Sequence, residues 1–243
     1  MTDFANDFTD RAFIVTGATG NLGQAVARIF AAANANLTLV DIAADRLPET
    51  LPELAASGTH FLSPDSVDVT DPDAFGAVVQ ASIERFGRID GLLNTVGGFR
   101  MGPAVHELDL DDWDLMLNLN ARSVLVTCRA VLPHLLEAGR GRIVSVAARS
   151  GLTGYGWMAP YSVSKSAVIR LTEAIAEEVK GSEINVNCVL PGTIDTPQNR
   201  TDMPKADHAK WVPPEQIARV FAFLASDAAA AINGAAIPVY GRS

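Results

Sequence analysis

Three features of the chain predict an α/β, doubly wound fold, with a mostly parallel sheet of about seven strands and helices on both faces. Short apolar runs rich in β-branched residues alternate with segments of helical periodicity along the whole length. The strand runs are continuously apolar, as in a parallel sheet covered on both sides. No repeat, low-complexity tract or Pro/Gly-rich linker divides the 243 residues, so a single domain spanning 1–243 is expected. A hydrophobic content of 48% against 19% charged residues is enough to bury a full core.

Arg11–Thr16 reads as the first strand, and the helix after it carries Leu22, Val26, Ile29 and Phe30 on one stripe. Leu37–Asp41 is the second strand and Val67–Val69 a short third. Phe75, Val78, Val79, Ile83 and Phe86 then line one helix face. Ile89–Thr95 and Arg142–Ala147 are the fourth and fifth strands, with a long helix from about Asp111 to Glu137 between them. A further helix carries Tyr161, Lys165, Val168, Ile169, Thr172 and Ile175. Glu183–Leu190 is the sixth strand. Pro214–Ser226 is a last helix, opened by a proline that suits a first turn, and Ala235–Tyr240 is the final strand. In such sheets ligands bind beyond the strand C-termini, so the loops there should hold the site.

Nineteen basic against twenty-eight acidic residues give a net charge of -9, which argues against nucleic acid or an anionic membrane as partner. Met1–Asp7 is acidic and has no positive flank or apolar core, so no signal peptide is expected. No apolar run is read as long enough to span a membrane; Phe221–Ile232 is broken by Ser226 and Asp227. Cys128 and Cys188 stand apart without ligand or disulfide spacing, which fits a reducing cytoplasm. His60, His106, His134 and His208 are scattered, so no metal site is expected.

Thr16-Gly17-Ala18-Thr19-Gly20-Asn21-Leu22-Gly23 joins the first strand to the first helix, with glycines spaced G-x-x-G-x-x-G. Glycine permits the tight turn, lets backbone approach a pyrophosphate and brings the helix close to the sheet, whose N-terminal N–H groups then face the anion. The alternative is a Gly-rich turn with no ligand. Asp41 closes the second strand eighteen residues after Gly23, where a carboxylate accepts ribose hydroxyls of NAD and repels the 2′-phosphate of NADP. Ile42 offers that phosphate no cation, and Arg46 is the nearest one. Asp68 can reach an adenine edge or simply cap a strand end.

Tyr161 and Lys165 lie four apart on a predicted helix and so share a face. An adjacent ammonium favours the phenolate, so the tyrosine pKa is expected to fall. The competing reading is a surface pair on an amphipathic helix.

Together these segments resemble the short-chain dehydrogenase/reductase superfamily, of single-domain Rossmann type, and the likeness covers the whole chain. The resemblance implies that Tyr161, Lys165 and Asn120 are catalytic, with Asn120 preferred to Asn118 on helix phase. It implies a cofactor site drawn from Gly17, Gly20, Asn21, Leu22, Gly23, Asp41, Asp68, Val69, Asn94, Val96, Gly97, Tyr161, Lys165, Pro191, Gly192, Ile194 and Thr196. NAD(H) is expected in preference to NADP(H), with a substrate loop at about 193–213. The residue thirteen before Tyr161 is Ala148, where most of the family has a serine that donates to the reacting oxygen. Ser150, two positions on, is expected to point elsewhere. The dihydropteridine reductase subgroup shares the alanine and the glycine spacing. Val96-Gly97-Gly98-Phe99 and the run from Val189 to Trp211, with Asp195-Thr196-Pro197, Asn199-Arg200 and Met203-Pro204, are similar to its loops.

The expected reaction is hydride transfer between nicotinamide and a small carbonyl, alcohol or conjugated ring. Tyr161 passes the proton, Lys165 tunes it, and Asn120 holds a water leading to solvent. An oxyanion donor is worth ~10²–10³ in rate, and its loss matters least for a ring that spreads charge. Phe99, Arg100, Met101, Tyr155, Trp157, Met158 and Trp211 fall on loops around the site and suit an apolar or planar ligand, or else packing. Two rival readings are a quinonoid-dihydropterin reductase and a dinucleotide-binding sensor or scaffold without catalysis. By analogy with the family, the helices from Asp111 and Pro160 form homodimer or homotetramer faces.

Overall fold

The computed structural model describes residues 8–63 and 65–242; the acidic stretch Met1–Asp7 lies outside the described residues. The strands are β1 (Ala12–Thr16), β2 (Asn36–Val40), β3 (Phe61–Leu62), β4 (Gly91–Asn94), β5 (Arg140–Val146), β6 (Glu183–Pro191) and β7 (Ala236–Val239). They form one sheet in the order β3-β2-β1-β4-β5-β6-β7, with every pairing parallel. Strand order reverses between β1 and β4, which opens a crevice at their C-terminal ends.

Alternate strand residues feed two apolar layers. Phe13, Val15, Leu93, Val144 and Val189 pack on one side with Phe8 and with α1 (Asn21–Ala32) and α9 (Pro214–Ala225). Phe8, Phe13 and Phe30 form a ring cluster there, with centroids 4.8 to 5.1 Å apart. Ile14, Leu92, Ile143, Val186 and Cys188 pack on the other side. That side is covered by α4 (Pro72–Phe86), α6 (Ser123–Ala138) and α7 (Ala159–Glu178). α4 begins where the Asp71 carboxylate accepts from the Asp73 and Ala74 N–H groups, and ends at Gly87 with φ 71°. The short helices α2 (Leu47–Thr50), α3 (Pro52–Ser57) and α8 (Pro197–Asp202) lie in the connections.

Two expected elements differ. Val67–Val69 is not a strand; the third strand is the two-residue Phe61–Leu62. The chain nevertheless runs on beside β2, since Ser63 N donates to Leu39 O and Val67 N to Asp41 O, both at 3.0 Å. Val67 and Val69 are apolar because they bury against the second layer, and this burial produced the strand-like pattern.

The long helix is also not uniform. α5 (Leu110–Leu117) and α6 are separated by one π-helical turn, Asn118–Arg122. The continuous stretch Leu110–Ala138 has the length and composition of a membrane span. Val124, Val126, Val131 and Leu135 are buried against the sheet, so it is a core helix.

Candidate active site

The glycine turn is built from close contacts. Gly17 adopts φ +67°, and a Cβ there would sit 3.0 Å from Val96 Cγ2, so the turn leans on the loop after β4. A Cβ on Gly23 would lie 2.0 Å from the Gly17 carbonyl oxygen, so only glycine lets α1 seat on the turn. Gly20 is the N-cap of α1 and no side chain caps the helix, leaving its first N–H groups for an anion. Asn21 is exposed in that first turn, while Leu22 is buried beneath it.

Asp41 closes β2 beside this turn. One carboxylate oxygen accepts from Thr19 N at 2.9 Å and the other from Ala43 N at 3.0 Å. The group therefore holds the turn in shape as well as presenting a negative charge at the crevice. This donor set, open helix terminus and close glycine packing fit a dinucleotide.

Asp68 is exposed, and its carboxylate accepts from both the N–H and the hydroxyl of Thr70 at 2.8 and 2.7 Å, the arrangement of an Asx turn. Val69 is buried. Asn94 is buried at the end of β4. Its amide donates to Ser145 Oγ at 3.2 Å and accepts from Thr127 Oγ1 at 3.0 Å, so the side chain ties β4 to β5 and α6 within the interior. Thr95 Oγ1 instead reaches the β1 end, donating to Thr16 O at 2.6 Å.

Gly97 marks the centre of the site. A Cβ there would lie 2.9 Å from Lys165 Nζ and 3.0 Å from Asn120 Oδ1. Asn120 is fully buried, whereas Asn118 is exposed. Asn120 Oδ1 accepts from Gly98 N at 3.0 Å, and Nδ2 donates to Gly98 O at 3.1 Å and to Ser164 Oγ at 3.0 Å. The π turn aims this amide at the loop after β4. Ser164 was not among the expected site residues. Its hydroxyl passes the chain of bonds on to Tyr161 O at 2.8 Å, and its place between Tyr161 and Lys165 was the available signal.

Lys165 is 3% exposed and donates to Val146 O at 3.1 Å. Burial lowers its pKa to about 8. Burial also pushes the Tyr161 phenol up to about 12. The expected fall in the tyrosine pKa is thus reversed, because burial favours the neutral phenol. Ser150 lies in the turn Arg149–Gly151 and is buried, its hydroxyl without a hydrogen-bond partner.

Phe99 meets the Tyr161 ring edge to face, with centroids 4.9 Å apart. Its loop is tied to the next by Gly102 N donating to Trp157 O at 2.9 Å, and Trp157 is held at φ 60°. Phe99, Met101, Tyr155 and Trp157 are exposed around this opening, and Arg100 pairs with Asp112. Met158 is half-buried. Trp211 is buried instead, its ring 4.4 Å from His208. Pro191 ends β6, and Gly192 N donates to Val239 O at 3.1 Å. Beyond it Ile194 bridges Val212, so the intervening loop is fastened at both ends. Thr196 Oγ1 caps α8 and Arg200 pairs with Asp195.

A cavity of about 600 Å³ lies at the opposite, N-terminal end of the strands. In its lining Arg11 and Arg142 pair with Asp227, and Arg140 with Asp90.

Residues 11–207 match the family model for short chain dehydrogenase. The chain is 36% identical to 2-(R)-hydroxypropyl-CoM dehydrogenase of Xanthobacter autotrophicus, over 95% of this chain and 97% of the relative. It is 36% identical to meso-2,3-butanediol dehydrogenase of Serratia marcescens, over 96% and 94%. The structure of carveol dehydrogenase from Mycobacterium avium in complex with NAD superposes with a TM-score of 0.88 at 25% identity, covering 97% and 98%. A match over most of the chain, with the sheet order already described, settles the lineage: the chain belongs to the short-chain dehydrogenase family of oxidoreductases.

Proposed function

We propose that the protein is an NAD(H)-dependent oxidoreductase that interconverts a small alcohol and its carbonyl on an apolar or planar frame. The observation that carries this reading is the convergence of Lys165 Nζ and Asn120 Oδ1 on Gly97, one helical turn from Tyr161. Bound nicotinamide supplies or takes the hydride. Tyr161, protonated at neutral pH, gives the balancing proton to the carbonyl oxygen in reduction and takes it back in oxidation. Lys165 holds positive charge at the end of β5, and Asn120 fixes the loop that carries Gly97 and Gly98. Asp41 supports NAD over NADP because an added phosphate dianion would face its carboxylate. The exposed Phe99, Met101, Tyr155 and Trp157 support an apolar substrate. Both relatives named above are dehydrogenases of alcohols, and NAD is bound in the carveol dehydrogenase structure.

A quinonoid-dihydropterin substrate is the second reading, favoured by Ala148. A sensor or scaffold without turnover is the third. Leu115, Leu125, Leu136 and Val163 are exposed on the long helices and support assembly as a homodimer or homotetramer, which light scattering would show.

The test is a turnover panel of secondary alcohols, ketones and quinonoid dihydropterin with NAD(H) and NADP(H), run beside Tyr161→Phe. Turnover of an alcohol–ketone pair with NAD(H), lost in Tyr161→Phe while NADH still binds, is the expected result. Turnover of the dihydropterin alone, or NADH binding without any turnover, would replace this reading with the second or the third.

A further inference from the structure

Ser164 is fully buried on α7, one residue before Lys165, and its hydroxyl is used twice. A helical serine commonly returns its hydrogen to the preceding turn. Ser123 does only that, donating to Leu119 O at 2.7 Å. Ser164 makes the same kind of bond, to Tyr161 O at 2.8 Å, and its oxygen also accepts from Asn120 Nδ2 at 3.0 Å. The second bond joins α7 to the π turn, two elements that carry different parts of the site.

Because its one hydrogen is committed to its own helix, Ser164 can meet Asn120 only as an acceptor, and so requires the amide nitrogen there. The other N–H of that amide goes to Gly98 O at 3.1 Å, which leaves Oδ1 to accept from Gly98 N at 3.0 Å. Turning the amide over would set its oxygen against Ser164 Oγ and Gly98 O, acceptor on acceptor. Met116 Sδ, 3.9 Å from Nδ2, is too poor an acceptor to stand in for the hydroxyl. Gly98 leads to Phe99, whose ring meets the Tyr161 ring edge to face at 4.9 Å. The contacts therefore leave Tyr161 at its backbone carbonyl and return to it at its ring.

We infer that Ser164 is a positioning residue: its hydroxyl fixes the Asn120 amide and, through it, the Gly97–Phe99 loop against the Tyr161 ring. Without the hydroxyl, one N–H of a fully buried amide has no adequate acceptor, so the amide shifts and the loop moves with it. Phe99 then no longer holds the edge of the Tyr161 ring, and the direction in which the phenol faces the substrate oxygen is less well set. No proton passes through Ser164, whose hydrogen stays on Tyr161 O. The inference rests on the alcohol–carbonyl reading above.

The experiment compares wild type with Ser164→Ala, Asn120→Ala, the double variant, Ser162→Ala and Tyr161→Phe, on the best alcohol–ketone pair of the panel. Ser164→Ala is expected to lose ~10-fold in kcat, short of the ~10²-fold of a full 1 Å misplacement. NADH affinity, set mainly at the glycine turn and Asp41, should change little. In the Asn120→Ala background the same change should cost no further rate, because Ser164 acts through that amide. Ser162→Ala, which removes a buried hydroxyl of α7 that has no partner, should keep the wild-type rate. Hydrogen exchange, which needs no turnover, should show the Gly98 amide exchanging ~10-fold faster in Ser164→Ala. Wild-type kcat in Ser164→Ala, an equal loss in both backgrounds, an equal loss in Ser162→Ala, or unchanged exchange at Gly98 would each overturn the role of Ser164. Turnover retained in Tyr161→Phe would instead overturn the reading beneath it, while exchange at Gly98 still judges the link from Ser164 to the loop.

Discussion

Lys165 donates its ammonium to the carbonyl of Val146 at 3.1 Å, so α7 is anchored on the end of β5 by a buried charge. Burial lowers that group from 10.5 to about 8. Between pH 8 and 10.5 the unfolded chain keeps this proton while the folded protein releases it, so stability from Lys165 rises with pH. The gain is on the order of 3 kcal/mol at 1.36 kcal/mol per pKa unit. Cys128, Cys188 and Tyr161 are pushed up and act in the opposite sense above about pH 9. The difference between wild type and Lys165→Met cancels them. In the cofactor-free protein, urea midpoints of Lys165→Met should exceed wild type at pH 7, and the gap should close by pH 10. A gap that does not change with pH would contradict a charged, buried Lys165.

Gly97→Ala puts a methyl carbon 2.9 Å from Lys165 Nζ and 3.0 Å from Asn120 Oδ1. The lysine tip can yield, so the fold should survive with a Tm loss of a few degrees. Catalysis should not survive as well, because the ammonium and the amide are both displaced. We expect kcat to fall by ~10² or more, checked by steady-state rates beside thermal melts.

Gly23→Ala tests a different constraint. Its Cβ would lie 2.0 Å from the Gly17 carbonyl oxygen, a backbone atom that cannot swing aside. The turn must open and α1 must retreat from the sheet. NADH affinity should drop by ~10-fold or more together with a marked loss of Tm, measured by fluorescence titration and melting.

Asp41→Ser should narrow the preference for NAD over NADP by removing the charge that faces a 2′-phosphate. It also removes two acceptors, since Thr19 N and Ala43 N both bond this carboxylate. Affinity for NAD should therefore weaken by more than the loss of ribose contacts alone. Dissociation constants for both cofactors in both proteins check this; an unchanged ratio would mean that Asp41 does not discriminate.

The sheet was legible because long apolar runs and glycine punctuation act locally. The strand end at Thr16 falls where that pattern puts it, and those at Val40 and Val146 one residue before the expected Asp41 and Ala147. β3 was not legible, since two residues carry no period, and Val67 and Val69 imitated a strand through burial alone. The π turn escaped for a related reason: one additional residue does not disturb hydrophobic spacing enough to be noticed. The spacing of Tyr161 and Lys165 showed that they are neighbours but could not show how dry their surroundings are, so the sign of the tyrosine shift came out reversed.

The π turn at Asn118–Arg122 also bears on how this protein could be re-engineered. Each residue of an α-helix advances its side chain by about 100°, so one surplus residue sets α5 and α6 out of phase. The two segments therefore behave as separately indexed cassettes rather than one interchangeable rod. A chimera that imports α5 with a regular α-helical junction would swing its outer face around while α6 stays seated on the sheet. Asn120 would then leave Gly98, and a graft that looked conservative residue by residue would dismantle the site from its far end.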